Sequence, residues 1–297
     1  MKVVVTGGCG FIGSHCVPRL IQDQHQVVVI DNLSSGSRAN LAPVADSEQL
    51  RLVEADIGLD GDWQSEFEGA GWVVHLAAPT NIIESIEDPR TYSQAILGGT
   101  FNVLEASRAA GIKRFVYPSS AACYGVADQY PTPEDAAMRP QYPYALMKRL
   151  GEEMVLHWSE VYGLPALSLR FFNLYGPGAS ALFGMFMRQK RAGKPLTVTG
   201  DGSQTRDFTY ISDIVDAIVA ALKSDKSGEV YNIGSGTTVS VNRMAELLDS
   251  PIEYIPRRAG EMQVTFGDIS KALRDLDWEP RVSVEEGVPL ASRLMGL

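Results

Sequence analysis

Short apolar runs alternate with longer amphipathic stretches along the first half of the chain. The runs are rich in β-branched residues and read KVVVT, QVVVID, RLVEAD, WVVHLAA, KRFVYPS and PALSLRFFN. Continuous apolar runs are typical of strands buried on both faces, and the helical stretches between them imply right-handed crossovers. The pattern therefore predicts an α/β fold built on a doubly wound parallel sheet.

The alternation breaks after Asn173, at the glycine- and proline-bearing segment YGPGASALFG. Shorter, mixed elements follow, with helices predicted over 185–192, 212–222, 241–248 and 284–295. We expect a main domain over 1–172 and a smaller, interleaved lobe over 173–297. Because VYNIG at 230–234 is apolar enough to be another strand of the main sheet, we expect 207–234 to return to the first domain.

Composition narrows the range of partners. The 297 residues carry a formal net charge of −10, which argues against nucleic acid or an anionic membrane as the main partner. Cys9, Cys16 and Cys123 lack the spacing of a metal site or a disulfide framework, so we predict no metal and a reducing, cytoplasmic location. No apolar run reaches the roughly 18 residues that a membrane span requires, and we expect no membrane association.

The stretch TGGCGFIG places glycines directly behind the first predicted strand. Gly8, Gly10 and Gly13 satisfy the G-x-G-x-x-G spacing, and Gly7, Gly10 and Gly13 recur every third residue. Glycines at such a strand-to-helix turn let the backbone approach a pyrophosphate, while a helix starting near Phe11 supplies free N–H donors. A tight structural turn is the alternative. The preceding strand and following helix favour a Rossmann-type dinucleotide site.

Two acidic residues follow the next two strands. Asp31, at the end of VVVID, is placed to accept hydrogen bonds from ribose hydroxyls, and its carboxylate would repel a 2′-phosphate. The sequence therefore predicts NAD over NADP, although Arg38 in the following loop could favour NADP. Asp56 in EADI is placed to meet the adenine amino group; a helix-capping role is equally consistent with its residue type.

Tyr144 and Lys148, in YPYALMK, lie four residues apart and would share one helix face. A tyrosine ionises near pH ~10, so it is a poor base unless a cation stabilises the phenolate. An ammonium ~5–6 Å away at an effective dielectric of ~20 would supply roughly 3 kcal/mol. A surface pairing is the common alternative. The preceding strand, however, brings Ser119 and Ser120 to the carboxyl edge of the sheet, where ligands bind.

These features together resemble the extended short-chain dehydrogenase/reductase family, specifically its nucleotide-sugar epimerases, dehydratases and reductases. The motifs occur in the family's order and span nearly the full chain: TGGCGFIGSH, DNLSSG, EADI, HLAA, ESIEDP, GGTFNVLEA, SSAACYG, YALMK, RFFNLYGP, GDGSQTRDFTYISD, YNIGSG and RRAGE. The resemblance implies a tightly held NAD. It further implies Tyr144 as base, Lys148 as its electrostatic and ribose-binding helper, and Ser120 as the active-site hydroxyl.

The resemblance also implies binding residues beyond this set. The cofactor would contact Gly7, Gly10, Phe11, Ile12, Gly13, Asp31, Asn32, Asp56, Ile57, Leu76, Ala77, Ala78, Thr80, Tyr144, Lys148 and Phe171. The substrate would contact Ser120, Tyr144 and Asn173, with Arg206 and Arg258 on the diphosphate and Glu261 on the nucleotide ribose. Solvated surface arginines and, for Asn173, a turn residue are the alternatives.

Two alanines select among the activities of the family. Dehydratases carry an Asp-Glu pair after the catalytic hydroxyl residue, whereas this chain has Ala121 and Ala122, which cannot move a proton. We therefore expect a 4-epimerase that inverts C4 of a nucleotide hexose of the UDP-glucose/UDP-galactose type through a transient 4-keto sugar. A reductase of a nucleotide-linked 4-keto-6-deoxy sugar stays open, and so does a non-catalytic nucleotide sensor.

The resemblance also predicts a homodimer that forms through a four-helix bundle. The helices would be those near 91–110 and over 144–162. Three departures affect the expected contacts: Ile96 replaces a common asparagine, Thr80 stands where some relatives have a lysine, and Thr199 stands where relatives commonly have an aromatic residue near the base. His15 and His75 are expected to be structural.

Overall fold

The computed structural model describes residues 1–257 and 262–297. The first elements in chain order are β1 (Lys2–Thr6), α1 (Phe11–Gln22), β2 (Gln26–Asp31), β3 (Leu50–Glu54), β4 (Ala70–His75), α2 (Ile82–Glu87), α3 (Pro89–Ser93), α4 (Gly99–Ala110), β5 (Arg114–Ser120), α5 (Pro143–Tyr162) and β6 (Ala166–Phe171). A π-helical turn over Gln94–Gly98 joins α3 to α4. The helix expected near 91–110 therefore forms with one irregular turn.

The later elements are shorter. They are β7 (Asn173–Tyr175), α6 (Leu182–Arg191), β8 (Leu196–Thr199), β9 (Thr205–Arg206), β10 (Phe208–Tyr210), α7 (Ile211–Lys223), β11 (Glu229–Ile233), β12 (Val239–Ser240), α8 (Val241–Glu246), β13 (Ile252–Ile255), β14 (Val264–Thr265), α9 (Ser270–Asp275) and α10 (Val284–Leu294). The four helices predicted in this half are present as α6, α7, α8 and α10, each within three residues of its expected ends.

Seven strands form one parallel sheet in the order β11-β6-β5-β4-β1-β2-β3. This is the predicted doubly wound Rossmann-type fold. Strand β11, which contains the VYN segment, pairs with β6 at the edge of the sheet, as the apolar composition of that segment indicated. The division of the chain at residue 172 stays a prediction.

Alternate residues of each strand face opposite sides of the sheet, so one sheet supports two apolar cores. Val3 and Val5 pack in a cluster with α1, α6, α7 and α10, whereas Val4 packs in a second cluster with Val103 of α4 and Val155 of α5. Both faces of the central strand are therefore covered. The carboxyl ends of the parallel strands all lie along one edge, and this edge carries the candidate site.

The strand PALSLRFFN was predicted as one element but divides in two. Strand β6 ends at Phe171, and Asn173 begins β7, which pairs in parallel with β10 outside the main sheet. Asn173 therefore lies on a separate strand beyond the carboxyl end of β6. Among the described residues, the second half also contains the small sheets β12-β9-β14 and β13-β8.

Candidate active site

The glycine loop between β1 and α1 has the geometry of a phosphate cradle. Gly7 has a φ of +69°, and a Cβ there would lie 2.6 Å from the backbone nitrogen of Ala77, in the loop that follows β4. A Cβ on Gly13 would lie 2.5 Å from the Cα of Gly8, so only glycine lets α1 approach the loop so closely. At Gly10, by contrast, the nearest neighbour would be the Gly7 carbonyl oxygen at 3.3 Å. The space beside Gly10 therefore faces outward.

Helix α1 begins at Phe11 directly behind this loop. No side chain caps its start, so the N–H groups of the first turn, from Phe11 to Gly13, stay available to an anion. The space beside Gly10 and the uncapped helix together fit a pyrophosphate. The loop supports the predicted contacts of Gly7, Gly10, Phe11, Ile12 and Gly13, whose roles stay predictions.

Asp31 ends β2 beside the loop and is held in a fixed orientation. Its carboxylate accepts hydrogen bonds from the backbone N–H groups of Cys9 and Leu33, each at 2.8 Å. This leaves the remaining lone pairs for ribose hydroxyls. Arg38, which could have favoured a 2′-phosphate, forms an ion pair with Glu54 at 2.5 Å. The geometry favours NAD.

The remaining predicted cofactor residues lie on the loops that follow β3 and β4. Asp56 is exposed, accepts a hydrogen bond from the Gly58 backbone N–H at 2.8 Å and contacts the Asn32 side chain at 3.3 Å. It therefore caps a local turn rather than a helix, while Ile57 beside it is buried. The segment that follows β4 holds Leu76, Ala77, Ala78 and Thr80. All of these positions lie at the carboxyl edge of the sheet.

The reactive residues come from β5 and α5. Ser120 ends β5, where its hydroxyl accepts a hydrogen bond from the backbone N–H of Ala122, and Phe171 ends the neighbouring strand β6. Tyr144 and Lys148 lie one turn apart near the start of α5. Ser120, Tyr144, Phe171 and Asn173 line one cavity of about 180 Å³.

The protein alone does not lower the pKa of the candidate base. Burial raises the pKa of Tyr144 to about 12, and a side-chain hydrogen bond with Ser120 opposes this rise only in part. Desolvation of the phenolate is the main cause of this rise. The prediction that Lys148 helps Tyr144 to act as a base stays a prediction.

Lys148 is buried, and nearby groups compensate only part of the cost of burying its charge. Burial lowers the pKa of its ammonium to about 8, while Cys123 and Glu152 act in the opposite direction. Its Nζ lies 4.6 Å from the centre of the Tyr117 ring. It has no hydrogen-bond acceptor among residues 1–257 and 262–297. A buried donor group of this kind fits the ribose hydroxyls that the resemblance assigns to it.

The predicted substrate residues are brought together only in part. Asn173 lines the cavity and accepts a hydrogen bond from the Thr265 hydroxyl at 2.8 Å. Arg206 lies on β9 beside β14, donating to the Thr205 carbonyl at 2.8 Å, and does not itself line the cavity. Arg258 and Glu261 lie outside the described residues. The diphosphate contacts of both arginines stay predictions.

Ala121 and Ala122, which the sequence analysis singled out, line the same cavity, so methyl groups stand where the resemblance gives dehydratases an acid and a base. The sequence reasoning missed other lining residues. Among them are Tyr130 and Thr132 from a loop, Val264 and Thr265 of β14, and Phe266 directly after it. No local motif marks these positions, because they meet the cavity only through tertiary packing.

His75 is structural, as expected. Its Nδ1 lies 2.7 Å from the Thr6 hydroxyl and its Nε2 lies 3.0 Å from the Thr100 hydroxyl. Burial and the charge of Lys148 lower its pKa to about 3, so the ring stays neutral. It links β1, β4 and α4 beneath the site.

A dinucleotide cradle, an acidic residue after β2 and a Ser-Tyr-Lys set at one sheet edge together define a protein of the extended short-chain dehydrogenase/reductase class. Residues 3–234 match the sequence model of the NAD dependent epimerase/dehydratase family. The chain belongs to this NAD-dependent family. The family description covers both epimerases and dehydratases, so the side chains at the cavity decide between them.

Individual relatives of this chain support the same family membership. A UDP-glucose 4-epimerase of Mycolicibacterium smegmatis is 34% identical over 97% of this chain and 96% of its own length. The structure of a UDP-glucose 4-epimerase with UDP-glucose from Thermotoga maritima has a TM-score of 0.91 and 32% identity, covering 100% of this chain and 99% of that one. A UDP-glucuronic acid 4-epimerase from Bacillus cereus, solved with UDP-glucuronic acid and NAD, has a TM-score of 0.92 and 31% identity with the same coverage.

Proposed function

We propose that this protein is an NAD-dependent 4-epimerase of a nucleotide-diphosphate hexose. The observation that carries the proposal is the cavity in which Ser120 and Tyr144 face the two methyl groups of Ala121 and Ala122. The hydroxyl groups can move a proton at C4, and the alanines supply no acid or base for eliminating water at a neighbouring carbon. The 4-epimerases among the relatives agree with this choice.

In the proposed mechanism, Ser120 holds the sugar 4-hydroxyl and Tyr144 takes its proton. Bound NAD would accept a hydride from C4 and return it, and the positive charge of its oxidised ring would favour the phenolate that burial alone disfavours. The sugar then presents its other face, and Tyr144 returns the proton to the 4-oxygen. Inversion at C4 therefore consumes no cofactor.

Lys148 would contribute in two ways. Its ammonium, one helical turn from Tyr144, favours the phenolate form, and its free donors suit ribose hydroxyls. We further assign Asp31 to the adenosine ribose, the glycine loop to the pyrophosphate, and Arg206 with Arg258 to the substrate diphosphate. A strong hold on the diphosphate leaves the hexose free to turn in the cavity.

A neutral hexose of the UDP-glucose/UDP-galactose type suits the cavity best. Its described lining consists of apolar and aromatic side chains, the amide of Asn173 and residues that carry hydroxyls: Ser120, Tyr124, Tyr130, Thr132, Tyr144 and Thr265. These groups can exchange hydrogen bonds with sugar hydroxyls. A 6-carboxylate would have to give up its hydration against this neutral lining.

The direct test is proton NMR of the purified protein with UDP-galactose, UDP-glucose and UDP-glucuronate, with no cofactor added. We expect interconversion of the two neutral sugars. The Tyr144→Phe variant should lose about 10²- to 10⁴-fold in kcat while retaining NAD. Tyr254→Phe, at an exposed position of β13 that does not line the cavity, is the matched control and should keep full activity.

A reductase of a 4-keto-6-deoxy sugar would use the same catalytic residues but would release oxidised cofactor after each turnover. Cofactor dependence separates the two activities. Turnover that requires stoichiometric NADH or NADPH, with no C4 inversion in its absence, would refute the epimerase proposal.

A homodimer is the second part of the proposal. The outer faces of α4 and α5 expose Phe101, Leu146, Val161 and Tyr162, and α2 beside them exposes Ile83. An apolar surface of this extent along two helices suits a four-helix contact with a second copy. Sedimentation should give twice the 32.3 kDa chain mass, and Phe101→Glu should shift the mass towards one chain. A single-chain mass for the wild type would contradict the dimer.

The cytoplasm is the proposed location. Within residues 1–257 and 262–297, no helix combines the length and apolarity needed to cross a bilayer. The three cysteines are buried and unpaired, which suits a reducing compartment. Fractionation of the native host would test this location.

A further inference from the structure

The ammonium of Lys148 rests on an aromatic ring instead of on a carboxylate. Its Nζ lies 4.6 Å from the centre of the Tyr117 ring, within the distance at which a cation is attracted by the ring face. Glu152 lies one turn further along α5, but its oxygens are occupied by Arg170 and by the Ser168 hydroxyl. The ring is therefore a favourable partner of this ammonium.

The ring itself is held firmly. Tyr117 is buried in β5, and its hydroxyl has no hydrogen-bond partner among residues 1–257 and 262–297. On one side it meets the ring of His75 at 5.8 Å between centroids. Gly151 of α5 leaves room for the phenol, since a Cβ at Gly151 would overlap the Tyr117 hydroxyl oxygen. The ring is therefore enclosed by its neighbours where it contacts Lys148.

We propose that Tyr117 is a positioning residue for the reaction, whose aromatic face fixes the Lys148 ammonium and favours its charged form. The inference rests on the proposed function, because that function needs Lys148 charged one turn from Tyr144. The tyrosine hydroxyl contributes nothing to this role, and the ring contributes all of it.

The other groups that face Lys148 either favour its charge or are neutral. Burial lowers its pKa to about 8, and Glu152 on α5 acts in the opposite direction. Cys123, which follows β5, is a neutral thiol at that pH, because burial raises its pKa to about 11. His75 from β4 stays neutral, because its pKa is lowered to about 3. Tyr144 stays protonated in the chain alone, since burial raises its pKa to about 12. The effect of the Tyr117 ring on the pKa of Lys148 can therefore be measured separately from these contributions.

The test is an NMR titration of the lysine ε-carbons, with the Lys148 signal assigned by its loss in Lys148→Met. We expect a pKa near 8 in the wild type. Tyr117→Phe keeps the ring face and should leave this value unchanged. Tyr117→Leu removes the face and should lower the value by about one unit, in proportion to a cation–π attraction at a largely buried site. Equal values in Tyr117→Phe and Tyr117→Leu would overturn the proposal.

Gly151→Ala provides a second route if Tyr117→Leu does not fold. The added methyl group should displace the ring and lower the pKa of Lys148, and Tyr117→Phe added to Gly151→Ala should restore part of the loss by removing the hydroxyl. An unchanged pKa in folded Gly151→Ala would count against the proposal.

Activity gives an independent readout. In Tyr117→Leu the alkaline limb of the kcat profile should move about one unit lower with KM for the sugar unchanged, whereas a merely structural defect would lower kcat equally at every pH. Because the titration needs no turnover, a wild type that does not epimerise any sugar would refute the proposed function and leave the titration to decide the role of Tyr117.

Discussion

The buried ion pair beneath the active-site helix offers a sharp test of how the site is supported. Glu152 of α5 and Arg170 of β6 are both buried, with Nη2–Oε1 and Nε–Oε1 distances of 2.6 and 3.1 Å. Glu152 also accepts from the Ser168 hydroxyl at 2.8 Å. Arg170 donates to the Tyr124 hydroxyl at 2.7 Å, and Tyr124 lines the cavity. The pair therefore joins the catalytic helix to the sheet and to the cavity wall.

Glu152→Gln keeps the shape of the side chain and removes its charge. The guanidinium of Arg170 then stays buried without a counter-ion, and one amide N–H faces a donor. Breaking a buried pair from one side costs about 3–5 kcal/mol. This is a large fraction of the 5–15 kcal/mol typical of a folded protein. Replacing both partners, as Glu152→Leu with Arg170→Met, should recover much of the loss, because no uncompensated charge remains.

The assay is urea unfolding at pH 7 with the NAD concentration held constant, since bound ligand adds to the apparent stability. The matched control is Asp128→Asn, which removes a bidentate pair with Arg139 at 2.6 and 2.8 Å on the exposed surface. This change should have little effect on stability, because the pair is exposed to solvent. A Glu152→Gln protein as stable as the Asp128→Asn control would refute the reasoning.

Two further predictions concern the loop and a buried acid. The Gly7→Ala protein should unfold at lower temperature and lose NAD, because the added Cβ would lie 2.6 Å from the Ala77 nitrogen. Gly69 is the matched control, since it has a similar positive φ but no atom within 4 Å of an added Cβ. Gly69→Ala should cost only about 1–2 kcal/mol of stability. Burial raises the pKa of Asp207 to about 6, so its contribution to stability is complete below pH ~4 and is lost as pH rises through 6. This loss amounts to about 3 kcal/mol, and Asp207→Asn should abolish it. Urea unfolding of the wild type and the variant between pH 4 and 7 measures the free energy of unfolding of each. Equal pH dependence in both proteins would contradict the prediction.

Much of the architecture was predictable because it depends on local patterns. The runs of valine and isoleucine in β1 and β2 could be recognised as buried strands, and the glycine spacing predicted the turn that leads into α1. The order of the parallel strands then places their carboxyl ends, with Asp31 and Ser120, along one edge. The predicted run PALSLRFFN extends past the true end of β6 at Phe171, because the apolar residues RFF continue beyond it.

The electrostatics of the site could not be predicted in the same way. The spacing of Tyr144 and Lys148 correctly indicated one helix, but it carries no information on how much water each group loses. Burial raises the pKa of the phenol and lowers that of the ammonium, and both shifts depend on neighbours distant in the chain. Tyr117, the ring that faces Lys148, gave no signal of its own within a strand of apolar residues.

The sequence by itself therefore determined the sheet, the glycine cradle and the chemical types of the reactive residues, because these follow from periodicity and from spacing within single elements. Only the tertiary structure decided which side chains line the cavity, which ring contacts the Lys148 ammonium and which protonation states burial favours. Those properties depend on distances and desolvation between segments far apart in the chain, which no local pattern records.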